Sequence, residues 1–227
     1  MNKVINLNQA VEYIKEAAVI MIGGFLSVGT PEAIIDTILA ANVKNLTIIA
    51  NDSGFPASGI GKLIVSRQVK KLVVSHIGTN PETGRQMREK ELEVELVPQG
   101  TLVERIRSGG AGLGGVLTPT GLGTMVADGK QIITVDGKAF LLEKPIRAEI
   151  ALIKAAKADT AGNLVFRKSA RNFNPIMATA ADLVIAEVQD IVPVGQIEPD
   201  EVMLSGILVD YLVQVREAAH GQQKSDC

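Results

Sequence analysis

The chain has 227 residues, 46% of them apolar and 21% charged, with a formal charge of −2 at neutral pH. That apolar fraction can fill a core, so a chain disordered throughout is excluded, and the charge, 3% aromatics and absence of Trp exclude the basic stripe or stacking platform of a nucleic-acid binder. The only cysteine, Cys227, excludes a disulfide framework and a Cys-rich metal site, and no metal ligand set is expected.

In chain order, Met1-Asn2-Lys3-Val4 shows no basic region leading into an apolar run, so no signal peptide is expected. The apolar stretch Ala17–Ile22 stops at Gly23-Gly24, far short of the ~20 residues of a membrane span. A cytoplasmic protein with no membrane contact is the expectation. Strands are expected at Val19–Ile22, Leu46–Ala50, Leu72–Ser75, Leu92–Val97, Ile150–Ile153 and Leu183–Glu187, about 18 residues preceding the first. Most are near-continuous apolar runs, as in strands covered on both faces. Between them, Pro31–Ala41 places Ile34, Ile35, Ile38 and Leu39 on one helical face, with Thr30 as N-cap, Pro31 at the first helical position and Glu32 in the first turn. Pro81–Lys90 and Thr101–Arg107 are further helices. The alternation predicts an α/β fold, an open, mainly parallel sheet flanked by helices.

Two segments depart from that rhythm. In Glu91–Val97 three carboxylates alternate with apolar residues, which fits a cation site or a strand with one solvated or subunit-facing side; the period of two favours the strand. Seven glycines crowd between Gly109 and Gly123, read as a flexible rim; Lys130–Val135, the turn Asp136-Gly137 and Lys138–Leu142 then form a β-hairpin flap inserted in the frame. No linker and no internal repeat divides the chain, so residues 1–219 are expected to be one domain and 220–227 a polar, disordered tail in which Cys227 has no role.

Three loops would lie at the carboxyl ends of parallel strands, where open α/β sheets bind ligands. Gly23-Gly24-Phe25-x3-Gly29 leads from a strand into a helix start, a place for an anion or for close backbone approach. Its spacing is neither a dinucleotide fingerprint nor a P-loop. Asn51-Asp52-Ser53-Gly54 follows the second strand, and Pro98-Gln99-Gly100-Thr101 precedes a helix. A glutamine carboxamide donates N–H without titrating, so Gln99 suits an oxyanion as well as it suits a turn. His76 fits either acid–base work or a strand end. Lys168–Pro175 gathers two amides and basic residues, a turn or an anion clamp.

Together these segments resemble the α subunit of the family I CoA-transferases. The likeness rests on Gly23-Gly24-Phe25-x3-Gly29-x-Pro31, Pro98-Gln99-Gly100-Thr101-Leu102, Arg107-x-Gly109-Gly110-Ala111-Gly112, Thr118-Pro119-Thr120-Gly121-x-Gly123-Thr124 and Ser169-Ala-Arg171-Asn172-Phe173-Asn174. Lys15-Glu16 departs from the Asp/Asn-Gly pair that often precedes the first motif. Ser75–Gly84 looks most like the acetate/acetoacetate branch. The resemblance implies ping-pong transfer of CoA between short-chain carboxylic acids, with acyl-CoA as substrate, no cofactor, and a nucleophilic glutamate on a separate β subunit in a Glu-Asn-Gly or similar context. None of the fifteen glutamates here precedes Asn or Gly. It further implies Gln99 as oxyanion donor, Asn51 lining the acyl pocket, Gly23, Gly24, Phe25 and Gly29 shaping the loop at the shared cleft, the Gly109–Gly123 loop near the partner's nucleophile, and an (αβ)n hetero-oligomer. A succinyl-CoA:3-oxoacid or 3-oxoadipate transferase on the same scaffold is the alternative, and a non-catalytic metabolite-binding module is the alternative of another class.

Overall fold

The computed structural model describes residues 3–215; the tail and Cys227 lie outside them. The strands are β1 (Val4–Ile5), β2 (Val19–Ile22), β3 (Leu46–Ile49), β4 (Val69–Val74), β5 (Glu93–Leu96), β6 (Val116–Thr118), β7 (Ile132–Val135), β8 (Lys138–Glu143), β9 (Ala148–Asp159), β10 (Leu164–Val165), β11 (Ala181–Val192) and β12 (Tyr211–Gln214). The helices are α1 (Leu7–Glu12), α2 (Glu32–Ala41), α3 (Gly61–Val65), α4 (Pro81–Arg88), α5 (Gln99–Gly110) and α6 (Asn174–Ala178). The main sheet runs β1-β12-β11-β9-β2-β3-β4-β5 and is parallel throughout, with the short β10 pairing antiparallel to β9. The expected first strand, β2, is therefore preceded by β1, which sits at the opposite edge beside β12.

Both faces of this sheet are buried, and side chains explain why. Ile20 and Ile22 join Ile48, Leu72 and Leu152 beneath Ile34, Ile35 and Ile38 of α2 and Leu63 and Ile64 of α3. Met21 between them points the other way, to Ile49, Val73, Ala151 and Ile153 under Leu102 and Ile106 of α5 and Met177 of α6. Alternate residues of one strand thus feed two cores, and each fully buried aliphatic side chain contributes roughly 1.5–3 kcal/mol relative to exposure.

Strand order reverses between β2 and β9: β3, β4 and β5 extend to one side, β11 and β12 to the other. Such a switch point splits the loops at the carboxyl ends and opens a crevice there. Gly23, the first residue past β2, donates its N–H to Leu152 O of β9 at 2.9 Å and so stands on that line.

The flap is present as a hairpin of β7 and β8 to which β6 adds a third antiparallel strand. The reading of Gly109–Gly123 as one rim loop is corrected: Gly109 and Gly110 are the last residues of α5, and Val116–Thr118 is strand. Glu91, Glu93 and Glu95 are not a cation site. Arg85 takes Glu91 at 2.9 Å, Lys71 takes Glu93 at 2.7 Å and Arg105 takes Glu95 at 2.7 Å, so the edge strand β5 and the residues just before it carry their carboxylates against cations of the same chain.

Candidate functional site

The loop after β2 closes on itself: Phe25 N donates to Val28 O at 3.0 Å and Val28 N to Phe25 O at 2.9 Å. Leu26 and Ser27 at its tip hold φ of 45° and 70°. Gly24 lies at φ 128°, where an L side chain is strained, and a methyl group there would coincide with Thr30 Oγ1. Thr30 is consequently not the cap of α2. Its side chain fills the space beside Gly24, Pro31 is the cap residue and makes no side-chain cap bond, and α2 begins at Glu32. The cap comes from across the sheet. Glu187 of β11, 2% exposed, accepts from Ala33 N at 2.9 Å and Ile34 N at 3.1 Å, and its other oxygen is 3.5 Å from Lys154 Nζ. Burial pushes the Glu187 carboxyl up from its ordinary range, against the pull of those N–H donors and Lys154.

The loop after β3 has the same form. Residues 54–59 read Gly-Phe-x3-Gly, as do residues 24–29, and Ser58 N donates to Phe55 O at 3.1 Å in an equivalent bridge. This six-residue echo has no flanking likeness, so it is a shared turn and not a repeat that divides the chain. The two turns touch through Ser27 and Ser58, whose hydroxyls are 2.8 Å apart, and both phenylalanines are exposed.

Asp52 joins the turns to the third loop. Its Oδ2 accepts from Leu26 N at 2.9 Å and from Asn51 Nδ2 at 2.7 Å, while Oδ1 accepts from Gly54 N at 2.8 Å. Asn51, 2% exposed, is thereby oriented, and its Oδ1 accepts from Gln99 Nε2 at 2.6 Å. Gln99 is the exposed first residue of α5, and that bond occupies one of its two amide hydrogens. The structure thus brings together Gln99, Asn51 and the Gly23–Gly29 loop through Asp52. Ile22–Gly24, Ala50–Asp52 and Ile60 line a crevice of ≈ 10 Å³, room for about one water.

The segment Lys168–Pro175 forms a turn, and its two amides hold the first loop. Asn174, fully buried at the start of α6, donates from Nδ2 to Gly29 O at 2.9 Å and Ala170 O at 2.8 Å, and accepts Lys154 N at 2.9 Å. Asn172 Nδ2 reaches Val28 O at 2.9 Å. The sequence pointed to the segments holding Asp52 and Asn174 but not to the part each plays, and not to Glu187 as a site component; all three act on backbone groups, which carry no residue-type signal. The His76 side chain is exposed after β4, and its main chain pairs with Asp52 and accepts Ser53 N at 3.0 Å.

The fold is that of the open α/β class, with its polar loops gathered at the switch point, the place where such sheets bind ligands. The chain belongs to the coenzyme A transferase family, whose model matches residues 4–215. It is 50% identical over 216 residues to the acetate CoA-transferase subunit alpha of Escherichia coli strain K12, covering 95% of this chain and 98% of that one. It is 51% identical over 213 residues to the acetoacetyl-CoA:acetate/butyrate CoA transferase alpha subunit of Clostridium acetobutylicum, covering 94% and 98%. Among solved structures, an acyl-CoA transferase of E. coli O157:H7 in a thioester complex with CoA superposes with a TM-score of 0.85 at 23% identity, a likeness of fold. It covers 94% of this chain, which spans about half of that longer one, at 47%.

Proposed function

We propose that this chain is the α subunit of a CoA-transferase that moves CoA between short-chain carboxylic acids of the acetate/acetoacetate type, with a separate β subunit supplying the nucleophilic glutamate and no cofactor. The observation that carries the reading is the hydrogen-bonded line from Leu26 N through Asp52 and Asn51 to Gln99, which aims one carboxamide at an open rim. The names of the two relatives above supply the substrate class and the subunit.

In this reading the β-subunit carboxylate attacks the thioester carbonyl of the acyl-CoA, and the carbonyl oxygen takes the negative charge. Gln99 Nε2 donates its remaining hydrogen to that oxygen, with Asn51 holding the amide in place. Collapse expels CoA thiolate and leaves an acyl–glutamyl anhydride. The thiolate then attacks the glutamyl carbonyl, releasing the first carboxylate and forming a glutamyl-CoA thioester, from which the second acid takes the CoA by the reverse steps. A crevice of ≈ 10 Å³ does not enclose an acyl group, so a second subunit must close the site and exclude water.

The test is reconstitution with the β subunit, assay of CoA exchange from acetyl-CoA or succinyl-CoA to acetoacetate, and mass spectrometry for CoA on a β-subunit glutamate. Gln99→Ala is expected to lower kcat by ~10²–10³ with little change in stability, since Gln99 is exposed. Activity within about threefold of wild type would sink the assignment of Gln99. A CoA adduct on this chain alone would sink the division of labour.

A further inference from the structure

One strongly charged segment on the same rim takes no part in the line described above. Arg167, Lys168 and Arg171 lie in and beside the turn Lys168–Arg171, are exposed, and make no ion pair among the described residues. Arg67, Lys71, Arg85, Arg105 and Lys130 each meet a carboxylate of this chain, whereas these three stand without one within five positions of sequence. The turn is also fixed in place. Ala170 lies against Gly29 and its carbonyl accepts Asn174 Nδ2 at 2.8 Å, while Asn172 Nδ2 bridges Ser169 O and Val28 O at 2.9 Å each. Lys168 is held at φ 51°, a strained backbone for a lysine. Three unmatched cations on a pinned turn, hydrogen-bonded to the site loop, make a preformed surface for an anion.

We propose that this turn is an anion subsite taking phosphate groups of the CoA thioester. The proposal rests on the CoA-transferase reading and names the part of the substrate this chain would hold. A CoA thioester places its reacting carbonyl at one end of a long uncharged arm and its phosphates at the other. The carbonyl end belongs at Gln99 and Asn51, and none of the three cations lines the crevice there. They stand beside the Gly23–Gly29 loop, where Ala170 packs on Gly29 and Asn172 reaches Val28, and outside the crevice, so a part of the substrate away from its carbonyl would meet them. Guanidinium forks match phosphate oxygens in pairs, and several cations suit a group of multiple charge better than the single charge of a short carboxylate.

The test uses the reconstituted αβ enzyme with three donors: acetyl-CoA, acetyl-dephospho-CoA and acetyl-pantetheine. The triple variant Arg167→Ala/Lys168→Ala/Arg171→Ala is expected to raise KM for acetyl-CoA by about 10- to 100-fold, as charge-assisted contacts do. Its KM for acetyl-pantetheine and for the acceptor acid should be unchanged. KM for acetyl-CoA should rise with salt in the wild type and much less in the variant. Lys70→Ala, which removes an exposed charge at the opposite end of the sheet, should leave all three donors alike. The dephospho donor assigns the contact: a wild-type KM raised as far as in the triple variant places it at the 3′-phosphate, and a smaller rise places part of it at the diphosphate. Equal loss with acetyl-pantetheine, a loss confined to the acceptor acid, or no rise in KM for acetyl-CoA would each overturn the subsite. If the wild-type complex uses none of the donors, the CoA-transferase reading fails and the subsite falls with it.

Discussion

Residues 24–29 and 54–59 follow neighbouring parallel strands, share the pattern Gly-Phe-x3-Gly, fold into the same bridged turn and each expose a phenylalanine. A fully buried asparagine lies behind each, Asn174 behind the first and Asn80 behind the second. What differs is the restraint. The first turn is held by Asp52, which takes Leu26 N, and also from more than 140 positions away: Asn172 donates to Val28 O, Asn174 donates to Gly29 O, and Glu187 caps the helix it leads into. The second is held by residues 25 and 27 positions away, Thr79 Oγ1 donating to Gly54 O at 2.7 Å and Asn80, which caps α4 through Glu82 N at 3.2 Å, reaching Ser53 O at 3.4 Å. One sequence pattern supplies a shape, and the restraints around it decide whether that shape belongs to the site or to the frame that carries the site.

The comparison breaks first at its glycines. Gly24→Ala forces a methyl group into Thr30 at a φ of 128°, whereas Gly54→Ala meets backbone atoms at 3.1 Å at a φ of 64°. Activity of the reconstituted enzyme is expected to fall by about 100-fold or more for the first, since a misplaced site loop costs that much, and by less than about tenfold for the second. Equal losses would mean that both turns belong to the site. The asparagines sharpen the contrast. Asn174→Ala strands Lys154 N and two carbonyls and should lower stability by about 2–4 kcal/mol, with kcat falling as well. Asn80→Ala loses an N-cap and should cost about 1 kcal/mol with kcat retained; denaturant midpoints and turnover on the same samples separate the two.

The smallest effect is a pair of opposite pH slopes. Hydrogen bonds from Arg85, then Gln86, hold Glu82 of α4 at about 2, so its stabilisation is present above the ordinary carboxylate range and lost as pH falls toward 2. Burial raises Glu187, so its contribution is full below that range and declines as pH rises through the raised value. Urea midpoints across pH should lose the acid slope in Glu82→Gln and the higher-pH slope in Glu187→Gln. An unchanged profile in either variant would remove that carboxylate from the account.

How far the sequence carried the reading depends on whether a role is written in residue type or in an encounter. Continuous β-branched runs closed by glycine gave β2 to its ends, Val19–Ile22. β9 and β11 run twelve residues each, longer than their apolar centres, because Lys154, Lys157, Glu187 and Asp190 continue the ladder with polar side chains. β1 has two residues, too few to show a period. Gln99 and Asn51 were legible because a polar residue just past a strand is conspicuous. The segment of Asn174 was legible but its partners were not, and Glu187 was not legible as a site component, since they reach groups 145 and 154 positions away. The Thr30 cap failed for the same reason: a better acceptor arrived from another strand.

The strand order also sets an assembly schedule. β2 through β5, with α2 to α5, form one continuous stretch whose parallel neighbours are consecutive in sequence, so these units can associate as the chain grows. The centre of the sheet cannot: Ile20 pairs with Ile150, and Val4 with Leu212 near the far end of the described chain. Contacts so remote require closure of loops over a hundred residues long, which slows folding. Until β9 arrives, the long side of β2 is an unpaired edge with the glycine turn at its tip and nothing behind it. The junction on which the site depends therefore cannot form before β9, and an unfinished chain exposes an apolar strand edge there, the kind that invites aggregation.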